Sequence, residues 1–292
     1  IPDAAALAMS SSMGRMLLAR CGARVRDVLV GLLRRGGAGV RWKAAAAVAN
    51  VLRGGEAGGR GEFVTAAVRD ALVGVAAAAG TEAERVAAAR ALGNLGEGGL
   101  DGKVLLTTPA VRDALVKVAA AATSDEARLL AVRALRMVGW CAEGRQLLAT
   151  AGVSSVLVAV GCRGGSEGAD GGGGGGGTSE VVEAVVALVS YVVAGTAGDI
   201  EADDGGWGVG GCGRHAVHAF ATAGIAGVVA EAGRRATTAR GRLLVARAVE
   251  ALVGVGCGAA PELESAGVGE VLIRMGGAAE GEGERAMLAA AG

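Results

Sequence analysis

The stretch Val68-Arg69-Asp70-Ala71-Leu72-Val73-Gly74-Val75, followed by four alanines, returns as Val111-Arg112-Asp113-Ala114-Leu115-Val116-Lys117-Val118 with four alanines behind it. Only Gly74 and Lys117 differ. Looser copies begin at Val25 (VRDVLVGLL), Val153 (VSSVLVAV), Ile225 (IAGVVAEA) and Val268 (VGEVLIRM). Successive starts lie 43, 43, 42, 72 and 43 residues apart. The long interval is one ordinary period enlarged by 29 residues, and the surplus falls in two glycine-rich insertions, 161–178 and 195–213. A fixed period of this size predicts a row of similar supersecondary units, each drying its apolar face on the next.

Each period has one internal plan. A first segment places Leu29, Leu72, Leu115, Leu157, Val229 and Leu272 at one point, with further apolar residues at helical spacing. A polar break follows, in which Thr81 with Glu84 and Thr123 with Glu126 have the spacing of a capping box, predicting the start of a second helix at each. That helix runs through RVAAARALGNL (Arg85 to Leu95), RLLAVRALRMV (Arg128 to Val138) and LLVARAVEALV (Leu243 to Val253). A short third element ends on Ala and Gly, as in GRQLLATAG (Gly144 to Gly152) and HAVHAFATAG (His215 to Gly224).

The composition fits thin layers. The 292 residues include 54 glycines and only two Phe, one Tyr and three Trp, so the buried faces have to be made of Ala, Val and Leu. With 29 basic and 29 acidic side chains, no global field draws nucleic acid or an anionic membrane surface. Cys21, Cys141, Cys162, Cys212 and Cys257 are far apart and form no C-x-x-C pair, as expected of thiols in a reducing compartment. The most apolar stretch, Val181 to Ala194, carries Glu183 and is shorter than the roughly 20 residues a spanning helix needs. An intracellular, cytoplasmic or nuclear protein is expected, with no cofactor.

The period, together with Ala91-Leu92-Gly93-Asn94-Leu95 and the weaker Ala49-Asn50-Val51-Leu52, resembles the armadillo repeat, a module of about 42 residues and three helices. HEAT repeats share the period; the A-L-x-N-L ending and the short third helix favour armadillo. The resemblance implies an all-α fold, a right-handed α-solenoid of armadillo-type (ARM/HEAT-like) repeats with a period of about 43 residues. Residues 1–24 would end a preceding repeat and 25–292 would form the array, its last repeat truncated. Neither end carries a polar capping repeat, so a fragment is expected.

In that family the third helix lines a concave groove and its Asn clamps the backbone of an extended peptide. Carried over by register, the clamp positions are Asn50 and Asn94, followed by Met137, Ser190 and Ala251. Four residues upstream, where peptide-binding members often carry Trp, stand Ala46, Arg90, Arg133, Val186 and Arg247. Arg90 and Arg133 are one period apart and should form rungs roughly 8–10 Å from each other. Guanidinium forks at that spacing suit carboxylates or phosphates of an acidic or phosphorylated partner segment. The plainer reading is a solvated charged face with weak local ion pairs. The expected function is therefore a non-catalytic protein–protein interaction scaffold or adaptor, with Asn50, Asn94, Arg90, Arg133 and Arg247 as the partner-binding groove. An importin-alpha-like cargo adaptor is the first alternative.

Other motifs carry less. Cys212, His215 and His218 have a spacing that could present soft ligands to zinc, the basis for a metal-dependent regulator; a HEAT-like lyase is a further alternative. Without a second ligand pair, packed or solvated histidines explain them as well. Gly206-x-Gly208-x-x-Gly211 lacks the preceding strand of a dinucleotide site, and Gly102-Lys103 is followed by Val104 instead of a hydroxyl residue. The acidic run Asp199, Glu201, Asp203, Asp204 lacks the Gly and terminal acid of a calcium loop. No catalytic constellation emerges at recognisable spacing.

Overall fold

The computed structural model describes residues 12–54, 60–163, 176–198, 219–254, 259–279 and 281–291, and among these it contains helices and no strands. The chain divides into two compact units, 1–140 and 141–292. The first contains α1 (Ser12–Arg35), α2 (Ala38–Gly54), α3 (Ala66–Ala77), α4 (Glu82–Gly96), α5 (Leu100–Leu106), α6 (Pro109–Ala121) and α7 (Asp125–Val138). The second contains α8 (Ala142–Leu148), α9 (Ala151–Arg163), α10 (Gly176–Gly198), α11 (Ala223–Arg235), α12 (Ala239–Gly254), α13 (Ala260–Ser265), α14 (Val268–Gly277) and α15 (Glu282–Ala291).

Within the first unit α1, α3 and α6 stack as one row and α2, α4 and α7 as a second row behind it, with short α5 set against α4. The second unit repeats the plan: α9, α11 and α14 form one row, α10, α12 and α15 the other, and α8 and α13 are the short helices. The repeated Val/Leu blocks are the first row. Leu72, Leu115, Leu157 and Val229 are fully buried there, and Leu272 is buried too. Small side chains let the rows approach closely: on α4, Ala87, Ala88, Ala89 and Ala91 are buried beside Leu92 and Leu95. One repeat alone could not bury this much apolar surface, so most of the stability resides in the junctions.

A local motif sets the corners. Thr65, Thr108, Thr150 and Thr222 each accept a hydrogen bond from the amide three residues on, at 3.3 Å, from Val68, Val111, Val153 and Ile225. Two residues before each threonine stands a fully buried large residue, Phe63, Leu106, Leu148 or Phe220. The threonine amide donates to that residue's carbonyl at 2.7–3.0 Å. The apolar side chain anchors the short element, the tight turn reverses the chain, and the hydroxyl satisfies an otherwise orphaned helix-start amide.

Two expectations change in detail. The capping box at Thr81 and Glu84 forms, with both reciprocal hydrogen bonds present. At the next break the cap is Ser124, whose side chain accepts from Ala127 N, and Glu126 inside the helix is used elsewhere. The other difference is at residue 24, where a corner between repeats was expected: α1 runs unbroken from Ser12 to Arg35. Gly22 holds the register of Thr65 and has no hydroxyl with which to cap a new helix, so two helices fuse into one.

Candidate partner-binding face

The long helices α2, α4 and α7 stack side by side, and polar links one period long join their N-terminal ends. Arg41 on α2 pairs with Glu84 at the start of α4 at 3.0 Å. Glu82, also on α4, accepts from the Ser124 hydroxyl at 2.6 Å, from Ser124 N at 2.8 Å and from Thr123 N at 3.2 Å, all at the start of α7. In the second unit Arg242 on α12 pairs with Glu284 on α15. Burial raises the Glu82 carboxyl, but the Ser124 hydroxyl and amide, Arg85 and the Thr123 amide outweigh it and lower its pKa to about 2. Burial opposes ionisation of Glu84 too, and Arg41 with the Gly80 and Thr81 amides holds its carboxyl below the usual range. These carboxylates are ionised structural links between repeats.

The first row has a matching device that the sequence reading did not identify. Arg26 and Arg69 of the V-R-D blocks each grip the neighbouring aspartate, Asp27 or Asp70, at 2.7–2.8 Å. Each then reaches a carbonyl 36 residues ahead, Glu62 O or Leu105 O, at 3.4 Å. Leu105 lies in the last turn of α5, where carbonyls lack helical partners. The signal was visible as the invariable Arg-Asp pair within the strict blocks, but its target lies in the next repeat.

The expected site residues lie on the long helices of both units and differ in exposure. Asn50 is exposed on α2, Arg133 is exposed on α7, and Arg247 is exposed on α12 of the second unit. Arg90 on α4 is half-buried and pairs with Glu126 on α7, the residue expected to cap that helix. Asn94 does not point outward as a clamp: its Nδ2 donates to Ala49 O on α2 at 2.8 Å, and its own carbonyl accepts from Arg60 at 3.1 Å. Ser190, in the same register on α10, is buried and donates to Val186 O at 2.7 Å. Val186, in the arginine register, is fully buried. The register that could clamp a peptide backbone is thus used partly for joining helices; on the first unit Asn50 and Arg133 are exposed, while Arg90 is half-buried in its pair with Glu126.

Solved structures share this arrangement of three-helix repeats in two stacked rows. The fold is that of armadillo repeat proteins. A designed armadillo repeat protein, YIII(Dq)4CqI, superposes with a TM-score of 0.66 over 90% of this chain and 97% of its own, at 18% identity. Another designed armadillo repeat protein, in complex with the peptide (KR)4, gives 0.63 over 90% and 96%, at 17% identity. An engineered protein solved by the Northeast Structural Genomics Consortium gives 0.66 over 92% and 94%, at 21% identity. No family model and no curated protein sequence matches the chain. In armadillo terms α2, α4 and α7 are third helices and α3 and α6 are second helices; the short element, expected from the sequence to be the third that closes a unit, is in this order a first helix that opens the next, as α5 does after α4.

The remaining candidates are quickly placed. Cys212, His215, His218, the acidic run from Asp199 to Asp204, the Gly206 to Gly211 motif and most of both glycine-rich insertions lie outside the described residues. Among the described residues no three His, Cys, Asp or Glu side chains come together as a metal site. Gly102 and Lys103 lie in α5, where a Cβ on Gly102 would overlap Leu95 O; that glycine serves close packing of a first helix on a third. No single described helix is long and apolar enough to cross a membrane.

Proposed function

We propose that this armadillo-type chain is a non-catalytic interaction scaffold whose third-helix face takes an extended acidic or phosphorylated segment of a partner protein. The observation that carries this reading is the register of Arg90 and Arg133 on successive stacked third helices, with Asn50 exposed on the helix before them. Guanidinium groups one repeat apart can each form forked hydrogen bonds to carboxylate or phosphate. Glu126, already paired with Arg90, supports the reading by showing a carboxylate seated in that rung. Arg247 offers the same group in the second unit. The designed relative named with (KR)4 binds a basic peptide, so the charge preference proposed here is the reverse of that one.

Fluorescence anisotropy with labelled peptides tests this directly. An alternating Asp-Glu peptide as long as (KR)4, or its phosphoserine counterpart, should bind, and binding should weaken as salt rises. Reversing Arg90 and Arg133 to Glu should weaken it by about 10-fold or more, equivalent to at least ~1.4 kcal/mol. Binding of (KR)4 in preference to the acidic peptides, or indifference to the double reversal, would overturn the proposal.

A further inference from the structure

Thr237 stands in the short break between α11 and α12, one residue beyond the pair Arg234-Arg235. Among the serines and threonines of the chain, only Thr237 and Thr238 have two arginines within the four residues before them. Thr237 is exposed. The cap of α12 is the next residue, Thr238, whose Oγ1 accepts from Gly241 N at 3.0 Å, so the Thr237 hydroxyl is not needed to start the helix. Arg234 and Arg235 both pair with Glu231, at 2.8 and 2.6 Å, and Arg234 keeps 46% of its side chain in solvent. On the other side Arg242 donates to the Thr237 carbonyl at 3.2 Å. Arg240 is exposed in the first turn of α12, where helical side chains lean toward the N-terminus and so toward the break.

The equivalent breaks of the first unit show what an anion does at this place. Before α4, Glu84 accepts from Gly80 N at 3.0 Å and from Thr81 N at 3.3 Å. Before α7, Glu82 accepts from Thr123 N at 3.2 Å and from Ser124 N at 2.8 Å. In both cases a carboxylate satisfies the two amides that lead into a long helix. The break before α12 has neither carboxylate: Gly241 holds the register of Glu84, and position 178, in the register of Glu82, is Thr. Glu183 of α10 lies against Gly241, but among the described residues no carboxylate accepts from the amides of Thr237 and Thr238. Arginines border this break instead.

We propose that Thr237 is a phosphorylation site for an arginine-directed protein kinase, and that its phosphate takes, at the start of α12, the part that Glu84 and Glu82 play at the starts of α4 and α7. In the transfer Thr237 Oγ1 attacks the γ-phosphorus of a nucleoside triphosphate. The new P–O bond forms as the bond to the β-phosphate oxygen breaks, the diphosphate leaves, and the hydroxyl proton passes to the kinase's general base. Arg234 and Arg235 supply the positive charges that an acidic substrate cleft holds through forked hydrogen bonds. Thr238 is set apart by its capping role, since its oxygen is held by Gly241 N. Once attached, the phosphate brings roughly two negative charges to the break, where Arg234, Arg240 and the amides entering α12 are its donors. A modified Thr237 therefore ties α11 to α12.

The test takes the full chain, a purified arginine-directed serine/threonine kinase and magnesium ATP, read by intact-mass and fragment mass spectrometry. The folded chain should gain one phosphoryl group, the fragments should place it on Thr237, and Thr237→Val should lose it. Arg234→Gln should lower kcat/KM for the transfer by at least about 10-fold. Both substitutions change exposed side chains, so circular dichroism should show unchanged folding. The effect of the phosphate is read on the purified product: the phosphorylated chain should melt at a higher temperature than the unmodified one, and Arg240→Gln should remove most of that gain. No transfer to the folded chain, transfer that settles on other residues instead, a rate indifferent to Arg234, a phosphorylated chain that melts no higher, or a gain that survives Arg240→Gln would each overturn the proposal.

Discussion

Asn50 and Asn94 hold one register on successive third helices, yet Asn94 donates to Ala49 O and Asn50 faces solvent. Their substitutions should therefore separate two roles. Asn94→Ala should cost about 1 kcal/mol in urea unfolding, the usual worth of one such hydrogen bond, while leaving acidic-peptide affinity unchanged. Asn50→Ala should do the opposite, lowering affinity with stability intact. Glu82 predicts a pH dependence. Its carboxyl falls from the ordinary 4.5 to about 2 on folding, so its ionised form stabilises the fold fully above the unfolded value. That stabilisation is lost as pH falls between about 4.5 and about 2. A shift of this size corresponds to roughly 3 kcal/mol, trimmed toward about 2 by partial exposure. Glu82→Gln should accordingly lower Tm at neutral pH and flatten its acid-side slope in melts taken at stepped pH.

At the scale of elements, the buried Phe or Leu two residues before a capping Thr makes each corner. Thr108→Ala should cost about 1 kcal/mol, as loss of an N-cap usually does, measured as a shifted denaturant midpoint without change of slope. A harsher result is expected at α5. Gly99, at φ 102, opens this short helix in a backbone region that L side chains rarely adopt, and Gly102 then lies against the end of α4. Gly102→Ala would drive a methyl group into Leu95 O and should cost at least about 2 kcal/mol, because backbone cannot yield as a side chain can. The elements themselves were legible in the sequence: the Val/Leu blocks show helical spacing, and the Thr81–Glu84 box announces the start of α4. The Thr123–Glu126 spacing matched the same rule, but Ser124 beside it offered a competing oxygen, and the helix begins one residue later than expected. The fused α1 has the converse cause, since a missing hydroxyl at Gly22 leaves nothing to break the helix.

For the whole molecule, stability is a sum of repeat terms and junction terms, so damage inside one repeat also weakens its neighbours. Leu115, fully buried in the middle of the first row, offers a test: Leu115→Ala should cost about 2–5 kcal/mol in urea unfolding.

By itself the sequence determined the period, the helical content and the likeness to armadillo repeats, because these follow from short-range patterns of Val, Leu, Ala and Gly repeated within a few turns. Only the tertiary structure decided the fate of the polar side chains. Asn94 turned to a neighbouring helix, Glu126 to Arg90 and Glu82 to the start of α7, each toward a partner 36 to 45 residues away. Apolar periodicity tells a helix which face to bury, whereas the mate of a hydrogen bond is set by how the next repeat is laid against it.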